Sequence, residues 1–600
     1  MFRQSRYRGD MTTDQILLFA LFGAVFVLLL WGRWRYDLVA FAALLAAVLL
    51  GLVPEKAAFE GFGHPATIIV ALVLVVSAGL VRSGVVQLIT RKLIDPARPV
   101  PVHIAILGGV GAVISAFMNN VAALALLMPV DVETAKKAGR SPRTTLMALS
   151  FATILGGMAT MIGTPPNIII ASIRAEALGA PYGMFDFAPV GGLTALAGLL
   201  FIALVGWRLI PKGTGDERTE EALALYIAEL KVPGASDLAG RRLAELEEEA
   251  GRADVVVLGL RRGKRRIPAS RQRRRISPGD VLLIEGRPEA IDEFRGTLGL
   301  EFEVPPHRER PGSEGTAGLG LVEAVVPAEA RIVDRSARRI GLAWRKGAVL
   351  LGIARYGQRV KGRIREETIR PGDLLLLVIP EDREEEVLDW LGVLPLAGRR
   401  TPVTRNELAP VSVAIFTAGV LAASFGVTSM AVALGLVVVA YALLRIVPLG
   451  ELYAHVEWPV VVLLGAMIPL GGALEHVGGT ELIARGLLDL AAGQPPWVAL
   501  LLLMVVTMSL SDVLNNTATT IVAAPVGIEM ARLSGLSADP FLMGVAVAAS
   551  CAFLTPIGHK NNTLILGPGG YRFGDYWRMG LPLELLVLGV SLPLILVFWG

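Results

Sequence analysis

The chain has 600 residues, of which 53% are hydrophobic and 18% are charged, and its formal net charge is +4. Its mean hydropathy is +0.59, and several apolar runs reach the ~20 residues that a membrane-spanning helix needs. A single cysteine, Cys551, excludes an intrachain disulfide and a cysteine-based metal cluster. The composition therefore predicts a polytopic α-helical membrane protein embedded in a lipid bilayer.

Two apolar halves, 14–211 and 409–600, flank a central stretch that is rich in Arg, Glu and Asp. Such a charge-dense stretch is typical of a water-soluble domain. The apolar segments of the first half are 14–31, 36–53, 66–81, 102–130, 143–172 and 188–210. Those of the second half are 409–425, 428–447, 458–474, 496–530, 541–567 and 578–599. The segments follow one another in the same order, which indicates an internal repeat.

Each half carries an Asn-Asn pair in the middle of an apolar segment. The stretch ISAFMNNVAALALLMPV (114–130) aligns without a gap with LSDVLNNTATTIVAAPV (510–526). An unpaired amide in hydrocarbon costs several kcal/mol, so these side chains need partners. One interpretation of each Asn-Asn pair is an ordinary turn or a pair of amides that pack one helix against another. Paired interruptions in corresponding positions of two halves instead favour the binding site of a secondary transporter.

A second pair of stretches aligns further along each half, TMIGTPPNIII (160–170) with TPIGHKNNTLI (555–565). We interpret the Asn-Asn segments as re-entrant hairpins and these stretches as breaks in helices. Five true crossings then remain per half, so one half is inverted relative to the other. Most Lys and Arg residues near the apolar segments fall on the side of the central stretch. The positive-inside rule therefore predicts a cytoplasmic central stretch, with both termini outside the inner (plasma) membrane.

The central stretch contains a repeat of its own, because ISPGDVLLIEG (276–286) is similar to IRPGDLLLLVI (369–379). Strand and helix patterns closed by Pro-Gly-Asp turns predict two small α/β modules, 212–303 and 319–400, joined by a linker, 304–318. The modules resemble the C-terminal domains of regulators of potassium conductance (RCK-C domains). This resemblance implies regulatory modules, a homodimer and a small regulatory ligand such as a nucleotide.

The stretch SCAFLTPIGHKNN (550–562) is similar to the signature of the divalent anion:sodium symporters, and the hairpins resemble that family's paired Ser-Asn-Thr tips. The resemblance covers about 14–211 and 409–600. It implies an inverted-repeat helical fold, co-transported Na+ or H+ and no bound cofactor. Members with two inserted modules are similar in layout to this chain, and that layout implies sulfate as the substrate.

Carried onto this chain, the resemblance implies two cation sites and one anion site. The first cation site comprises Ser115, Asn119, Asn120 and Gly163. The second cation site comprises Ser511, Asn515, Asn516 and Gly558. The anion site comprises Asn120, Val121, Thr164, Pro165, Asn516, Thr517, His559 and Lys560. The supporting residues are Asn167, Asn562, Asp512, Thr555 and Pro556. The chain departs from the family pattern at Val121, which replaces a hydroxyl, and at His559 and Lys560, where many relatives have uncharged residues.

A divalent oxyanion inside a bilayer needs hydrogen-bond donors and compensating positive charge. Interrupted helices present free backbone N–H groups and about half a positive charge at each N-terminus. Lys560 lies within the predicted helix break, which favours a role as a fixed positive charge for the anion. Asp512 has three possible roles, which are to bind a proton, to bind a cation or to pair with Lys560.

These features predict an ion-coupled importer of a small inorganic dianion, with sulfate as the first choice, that works by alternating access. A di- or tricarboxylate is the alternative substrate, and a ligand-gated ion channel is the alternative class. The sequence contains no TVGYG-like selectivity filter. Its six His residues are dispersed and suggest no catalytic constellation, so we expect neither an enzyme nor a nucleic-acid partner.

Overall fold

The structure, a computed structural model, describes residues 11–31, 34–83, 85, 95–211 and 408–600 and, with short gaps, 226–302 and 319–396. The predicted linker, 304–318, lies outside the described residues, as do the first residues of the first predicted module, 212–225, and the last residues of the second, 397–400. The limits of the five predicted domains therefore stay predictions.

Apolar helices make up the first half. They are α1 (Thr13–Trp31), α2 (Tyr36–Leu49), α3 (Pro65–Arg82), α4 (Val100–Phe117), α5 (Asn120–Lys137), α6 (Arg143–Gly157), α7 (Pro165–Leu178) and α8 (Leu193–Leu204). In hydrocarbon, backbone N–H and C=O groups must pair within the protein, and a helix pairs them within its own segment. The predicted apolar segments 102–130 and 143–172 are each divided into two helices.

The central stretch forms two five-stranded sheets with short helices. The first has strand order β3-β2-β4-β1-β5, and the second β10-β6-β9-β7-β8. Strands of the first sheet are β1 (Tyr226–Lys231), β2 (Val255–Arg262), β3 (Arg265–Pro268), β4 (Val281–Gly286) and β5 (Glu301–Phe302), with helices α9 (Leu246–Arg252) and α10 (Pro288–Thr297). Strands of the second are β6 (Leu319–Val325), β7 (Val349–Arg355), β8 (Gln358–Arg359), β9 (Leu374–Pro380) and β10 (Leu394–Pro395), with helices α11 (Ala337–Ile340) and α12 (Glu384–Leu391). All described strand pairs are antiparallel.

The two sheets repeat the same turn. Asp280 and Asp373, which close the Pro-Gly-Asp turns, each accept hydrogen bonds from an Arg of the sheet, Arg262 at 2.7 Å and Arg355 at 2.8 Å. Charge-assisted bonds of this kind hold a turn firmly in place. The observed repeat agrees with the repeat in the sequence, whereas the RCK-C identity of the modules stays a prediction.

The second sheet contacts the second apolar half directly through its Pro-Gly-Asp turn. Gly372 in this turn has a φ of +80°, and a β-carbon on it would lie 3.0 Å from the carbonyl oxygen of Thr563. A β-carbon on Gly567 would in turn overlap the carbonyl oxygen of Gly372. Gly279, the equivalent glycine of the first sheet, has a φ of +83° but no atom within 4 Å of its β-carbon position. The backbones of module and membrane half thus approach each other closely at the second turn.

The second half is again helical. Its helices are α13 (Ala409–Ser424), α14 (Met430–Leu443), α15 (Trp458–His476), α16 (Gly479–Leu490), α17 (Pro496–Ser511), α18 (Asn516–Ser534), α19 (Asp539–Ser550), α20 (Lys560–Ile565) and α21 (Tyr576–Phe598). Four helices of the described chain are long and apolar enough to cross a membrane, and they span Glu60–Arg82, Val100–Phe117, Trp458–His476 and Phe573–Phe598. The apolar helices fit a membrane protein, while the inversion of the halves and the sidedness of the termini stay predictions.

Candidate functional site

The bend of the first hairpin lies between α4 and α5. Asn119 caps α5, because its Oδ1 accepts a hydrogen bond of 2.9 Å from the backbone N–H of Val121. Asn120 begins the helix and is 5% exposed, and its Oδ1 accepts a 2.6 Å hydrogen bond from the Ser115 hydroxyl. A β-carbon on Gly157 of α6 would overlap the Asn120 side chain. The side chain of Asn120 is therefore held on two sides.

The bend of the second hairpin, between α17 and α18, has the same cap. Asn515 Oδ1 accepts a 2.8 Å hydrogen bond from the backbone N–H of Thr517, and Asn516 Oδ1 lies 2.8 Å from the same nitrogen. The Ser511 hydroxyl donates a 2.6 Å hydrogen bond to the carbonyl of Ala549. A cap of this kind satisfies one of the free N–H groups at a helix start. Both hairpins thus place amide side chains at a helix N-terminus within an apolar segment.

The first helix break, 158–164, lies between α6 and α7 and packs against the first hairpin. The Thr160 hydroxyl donates a hydrogen bond to the carbonyl of Ala116, and Asn167 Nδ2 donates one of 2.8 Å to the carbonyl of Thr160. A β-carbon on Gly163 would lie 3.0 Å from the same Ala116 oxygen. These contacts join the broken helix to the end of α4.

The second helix break, 551–559, makes the equivalent contacts with the second hairpin. The Thr555 hydroxyl donates a 2.6 Å hydrogen bond to the carbonyl of Asp512, and Asn562 Nδ2 donates one of 3.1 Å to the carbonyl of Thr555. A β-carbon on Gly558 would lie 2.8 Å from the Asp512 carbonyl oxygen. The same three contacts therefore recur in both halves at the residues that the sequence alignment pairs.

The two halves meet at these breaks. Helix α20 packs against α5 and α6, and helix α7 packs against α18 and α19. Nε2 of His559 lies 3.4 Å from Nδ2 of Asn120, and Asn561 Nδ2 donates a 3.1 Å hydrogen bond to the Asn120 carbonyl. Among the hydrogen bonds of the described residues, none joins the Asn119–Asn120 pair directly to the Asn515–Asn516 pair. The contact between the halves runs instead through the broken helices.

Lys560, the first residue of α20, forms an ion pair that the sequence did not predict. Its Nζ donates a 2.6 Å hydrogen bond to Oε2 of Glu457, which directly precedes α15. Nδ2 of Asn119 donates a 3.1 Å hydrogen bond to Oε1 of the same carboxylate. Glu457 thus joins the cap of the first hairpin to the start of the helix after the second break. Of the three roles considered for Asp512, the ion pair with Lys560 is wrong, since Lys560 lies on Glu457.

Asp512 lies instead against a second carboxyl group, that of Glu584 in α21. The two carboxyl groups are in hydrogen-bonding contact, and the residues are 3% and 6% exposed. Backbone N–H groups of Leu554 and Phe553 donate to Asp512 Oδ1 at 2.9 Å and to Glu584 Oε1 at 3.3 Å. Asp512 Oδ2 has no donor among the described residues. Because two ionised carboxylates only accept hydrogen bonds, this contact becomes a hydrogen bond when one of them carries a proton.

The remaining predicted residues lie at the edges of the two breaks. Thr164 precedes α7, is 1% exposed, and its hydroxyl has no hydrogen-bond partner among the described residues. Pro165 is the first residue of α7. The carbonyl of Pro556 accepts a 2.6 Å hydrogen bond from the Thr563 hydroxyl. A buried hydroxyl without a partner is a donor that a ligand can use, and the place of Thr164 in the anion site stays a prediction.

Each predicted cation set lies around one hairpin bend and the helix break of the same half. Ser115 contacts Asn120 in the first set, and a β-carbon on Gly558 would lie 2.9 Å from the carbonyl oxygen of Ser511 in the second. Within the described residues no group of three His, Cys, Asp or Glu residues could hold a metal ion. The atoms that both sets offer to a cation are uncharged oxygens, the type of ligand that hard cations bind.

Sequence reasoning missed Glu457, Glu584 and Asn561. Glu584 lies in the apolar helix α21, and an acidic residue within an apolar segment is a signal that could have identified it. Glu457 stands at the edge of an apolar helix, where a charged residue is ordinary, so only the folded chain shows its partners. Asn561 was passed over because the neighbouring Asn562 is the residue that aligns with Asn167.

The chain is similar in sequence to known transporters over most of its length. The citrate transporter family (CitMHS) matches residues 26–531 and 419–600. An uncharacterized transporter of Synechocystis sp. is 29% identical over 98% of this chain and 97% of its own length. The uncharacterized transporter YfbS of Escherichia coli is 28% identical over 98% of this chain and 99% of its own length.

Relatives with a named substrate match over shorter regions. Sodium/sulfate cotransporter 2 of Chlamydomonas reinhardtii is 26% identical over 62% of this chain and 44% of its own length. Among solved structures, the YdaH transporter of Alcanivorax borkumensis covers 98% of both chains with 14% identity and a TM-score of 0.41. The match to the family model spans both halves and the central stretch, and it places the chain among transporters and not among enzymes. The chain belongs to the citrate transporter family.

Proposed function

We propose that the protein is a secondary active transporter that imports a small inorganic dianion, sulfate, across the plasma membrane by alternating access. The observation that carries this proposal is the meeting of the first hairpin with the second helix break. Asn120 at the start of α5 lies 3.4 Å from His559, which caps α20. The start of α5, a helix of 18 residues, thereby lies at this junction, and the N-terminus of such a helix favours anions.

The polar groups at this junction suit an oxyanion. Lys560 supplies a positive charge, and Asn119 and Asn120 supply amide groups. Sulfate has four equivalent acceptor oxygens, and donors arranged around it replace its hydration. The sodium/sulfate cotransporters among the relatives support the same choice.

The transported anion is coupled to Na+ or H+ that moves with it. Neutral oxygens around each hairpin bend support a Na+ site, and the paired Asp512 and Glu584 carboxyl groups support protonation. A di- or tricarboxylate is the second candidate substrate, because the description of the matching family is that of a citrate transporter.

The two central modules complete the proposal as cytoplasmic regulatory domains of a homodimer, which bind a small ligand such as a nucleotide. The contact of the second module with the segment after α20 supports this role, since Gly372 packs against Thr563 and Gly567. A ligand that moved this turn would act on the helix that carries Lys560. A regulatory ligand needs such a differential contact to shift a transport equilibrium.

Uptake of radioactive sulfate into proteoliposomes tests the function. We expect saturable sulfate uptake that citrate and succinate do not inhibit. An inward Na+ gradient and an inward proton gradient are applied in separate experiments, and one of the two should drive this uptake. Asn120→Ala and Asn516→Ala should each abolish uptake, because each removes an amide at a hairpin bend, while the elution profile of the purified protein stays unchanged. Normal sulfate transport by both variants, or inhibition by citrate at lower concentrations than by sulfate, would contradict the proposed site or substrate.

A further inference from the structure

The carboxylate of Glu457 bridges two groups that belong to different parts of the proposed anion site. Its Oε2 accepts from Lys560 Nζ at 2.6 Å, and its Oε1 accepts from Asn119 Nδ2 at 3.1 Å. Lys560 starts the helix after the second break, and Asn119 caps the helix after the first hairpin bend. The bridge thus spans the junction of the two halves with a single carboxylate.

Glu457 itself comes from neither a hairpin nor a break. It precedes α15, and this helix packs against α2, α3, α16 and α18. The side chains of Glu457 and Lys560 are 25% and 21% exposed, so the bridge is not sealed inside the protein. An anion that reaches these donors therefore meets the Glu457 carboxylate there.

A carboxylate and an inorganic oxyanion present the same kind of acceptor to the same donors. Both accept charge-assisted hydrogen bonds from an ammonium group and ordinary ones from an amide. The Lys560 ammonium and the Asn119 amide each have further N–H groups, but a dianion bound to them would lie close to the negative charge of Glu457. Glu457 and a transported anion therefore compete for the same donors.

We propose that Glu457 is an internal stand-in for the transported anion, which holds Lys560 and Asn119 in the empty protein and is displaced when the anion binds. The inference rests on the proposed function, since it takes the anion site to lie at these donors. Displacement also frees the hairpin cap and the broken helix from the segment before α15. Anion binding and release of this contact are then one event, as a carrier that moves only when loaded requires.

Equilibrium binding of radioactive sulfate to the purified full-length protein tests the proposal. Glu457→Gln removes the competing charge and keeps the size of the side chain, so sulfate should bind roughly tenfold more tightly, which corresponds to about 1.4 kcal/mol. Glu475→Gln is the matched control, because Glu475 is an exposed residue near the other end of the same helix. The control should bind sulfate as the wild type does.

A double-mutant cycle separates competition from a merely structural effect. In a Lys560→Gln background the ion pair that Glu457 makes is gone and only its hydrogen bond from Asn119 remains, so Glu457→Gln should raise the sulfate affinity by a smaller factor. In proteoliposomes, Glu457→Gln should lower KM in proportion to the tighter binding. Unchanged or weaker sulfate binding by Glu457→Gln, or the same gain with and without Lys560, would overturn the inference. If neither the wild type nor any variant binds sulfate or a dicarboxylate, the proposed function itself fails.

Discussion

The second helix break lies so close to the end of α17 that its glycine has no room for a side chain. A β-carbon on Gly558 would lie 2.8 Å from the carbonyl oxygen of Asp512, 2.9 Å from its Cα and 2.9 Å from the carbonyl oxygen of Ser511. All three atoms belong to backbone, which cannot rotate away as a flexible side chain can. We therefore expect Gly558→Ala to separate the break from the second hairpin.

The size of the effect follows from these distances. Carbon atoms in good contact lie about 3.5–4.0 Å apart, so the segment must withdraw by roughly half an ångström or more. Overpacking of this kind costs about 1–3 kcal/mol. A free-energy change of that size alters the population of a functional arrangement by about 5- to 150-fold. We expect sulfate uptake by Gly558→Ala to fall at least about fivefold.

Initial rates of sulfate uptake in proteoliposomes, normalised to the reconstituted protein, provide the assay. Gly589→Ala in α21 is the matched control, since no atom lies within 4 Å of its β-carbon position, and it should transport at the wild-type rate. Wild-type uptake by Gly558→Ala would show that the contact between break and hairpin is not needed, and it would refute the reasoning.

Two further pairs of substitutions test other contacts. Glu584→Gln offers an amide donor to the Asp512 carboxylate, whose Oδ2 has no donor among the described residues, so the unfolding temperature of this variant in detergent should equal or exceed that of the wild type. Glu584→Ala removes the side chain beside the Asp512 carboxylate and should lower the free energy of unfolding by about 1–3 kcal/mol. A Glu584→Gln variant that is less stable than Glu584→Ala would contradict this pairing. Gly372→Ala and Gly279→Ala both place alanine at a positive φ, a strain of roughly 1–2 kcal/mol, but only the first also meets Thr563. The Gly372→Ala variant should therefore unfold at a lower temperature than the Gly279→Ala variant, and it should also take up less sulfate. Equal effects of the two substitutions would show that the contact between the second module and Thr563 is unimportant.

The parts of the site that depend on local chemistry were open to prediction from the sequence. Asn119 and Asn515 each cap the helix that begins at the next residue, by accepting a hydrogen bond from the backbone N–H two positions further along. An Asn that interrupts an apolar run is a local signal for such a cap. Thr160 and Thr555 make the same backbone contact because the two stretches are alike in sequence. Similarity between two stretches predicts similar structure wherever the neighbours are also similar.

The electrostatic partners were not open to prediction in the same way. Lys560 and Glu457 are 103 positions apart, and Glu457 lies outside the stretches that align between the two halves, so the repeat gives no hint of the pair. Asp512 aligns with Ala116 in the first half, which likewise hides its contact with Glu584. Charged pairs that occur in only one half require the folded chain, because neither spacing nor symmetry identifies them.

The crosswise packing of α7 on α18 and of α20 on α5 has a bearing on ancestry. A polypeptide that comprised only one half would contain a hairpin and a broken helix, but it would lack the helices of the other half that pack against them. Such a precursor would need a second copy of itself before any solute could be enclosed. Divergence of two copies within one chain accounts for charged residues that occur in one half only, such as Lys560, which aligns with Pro165.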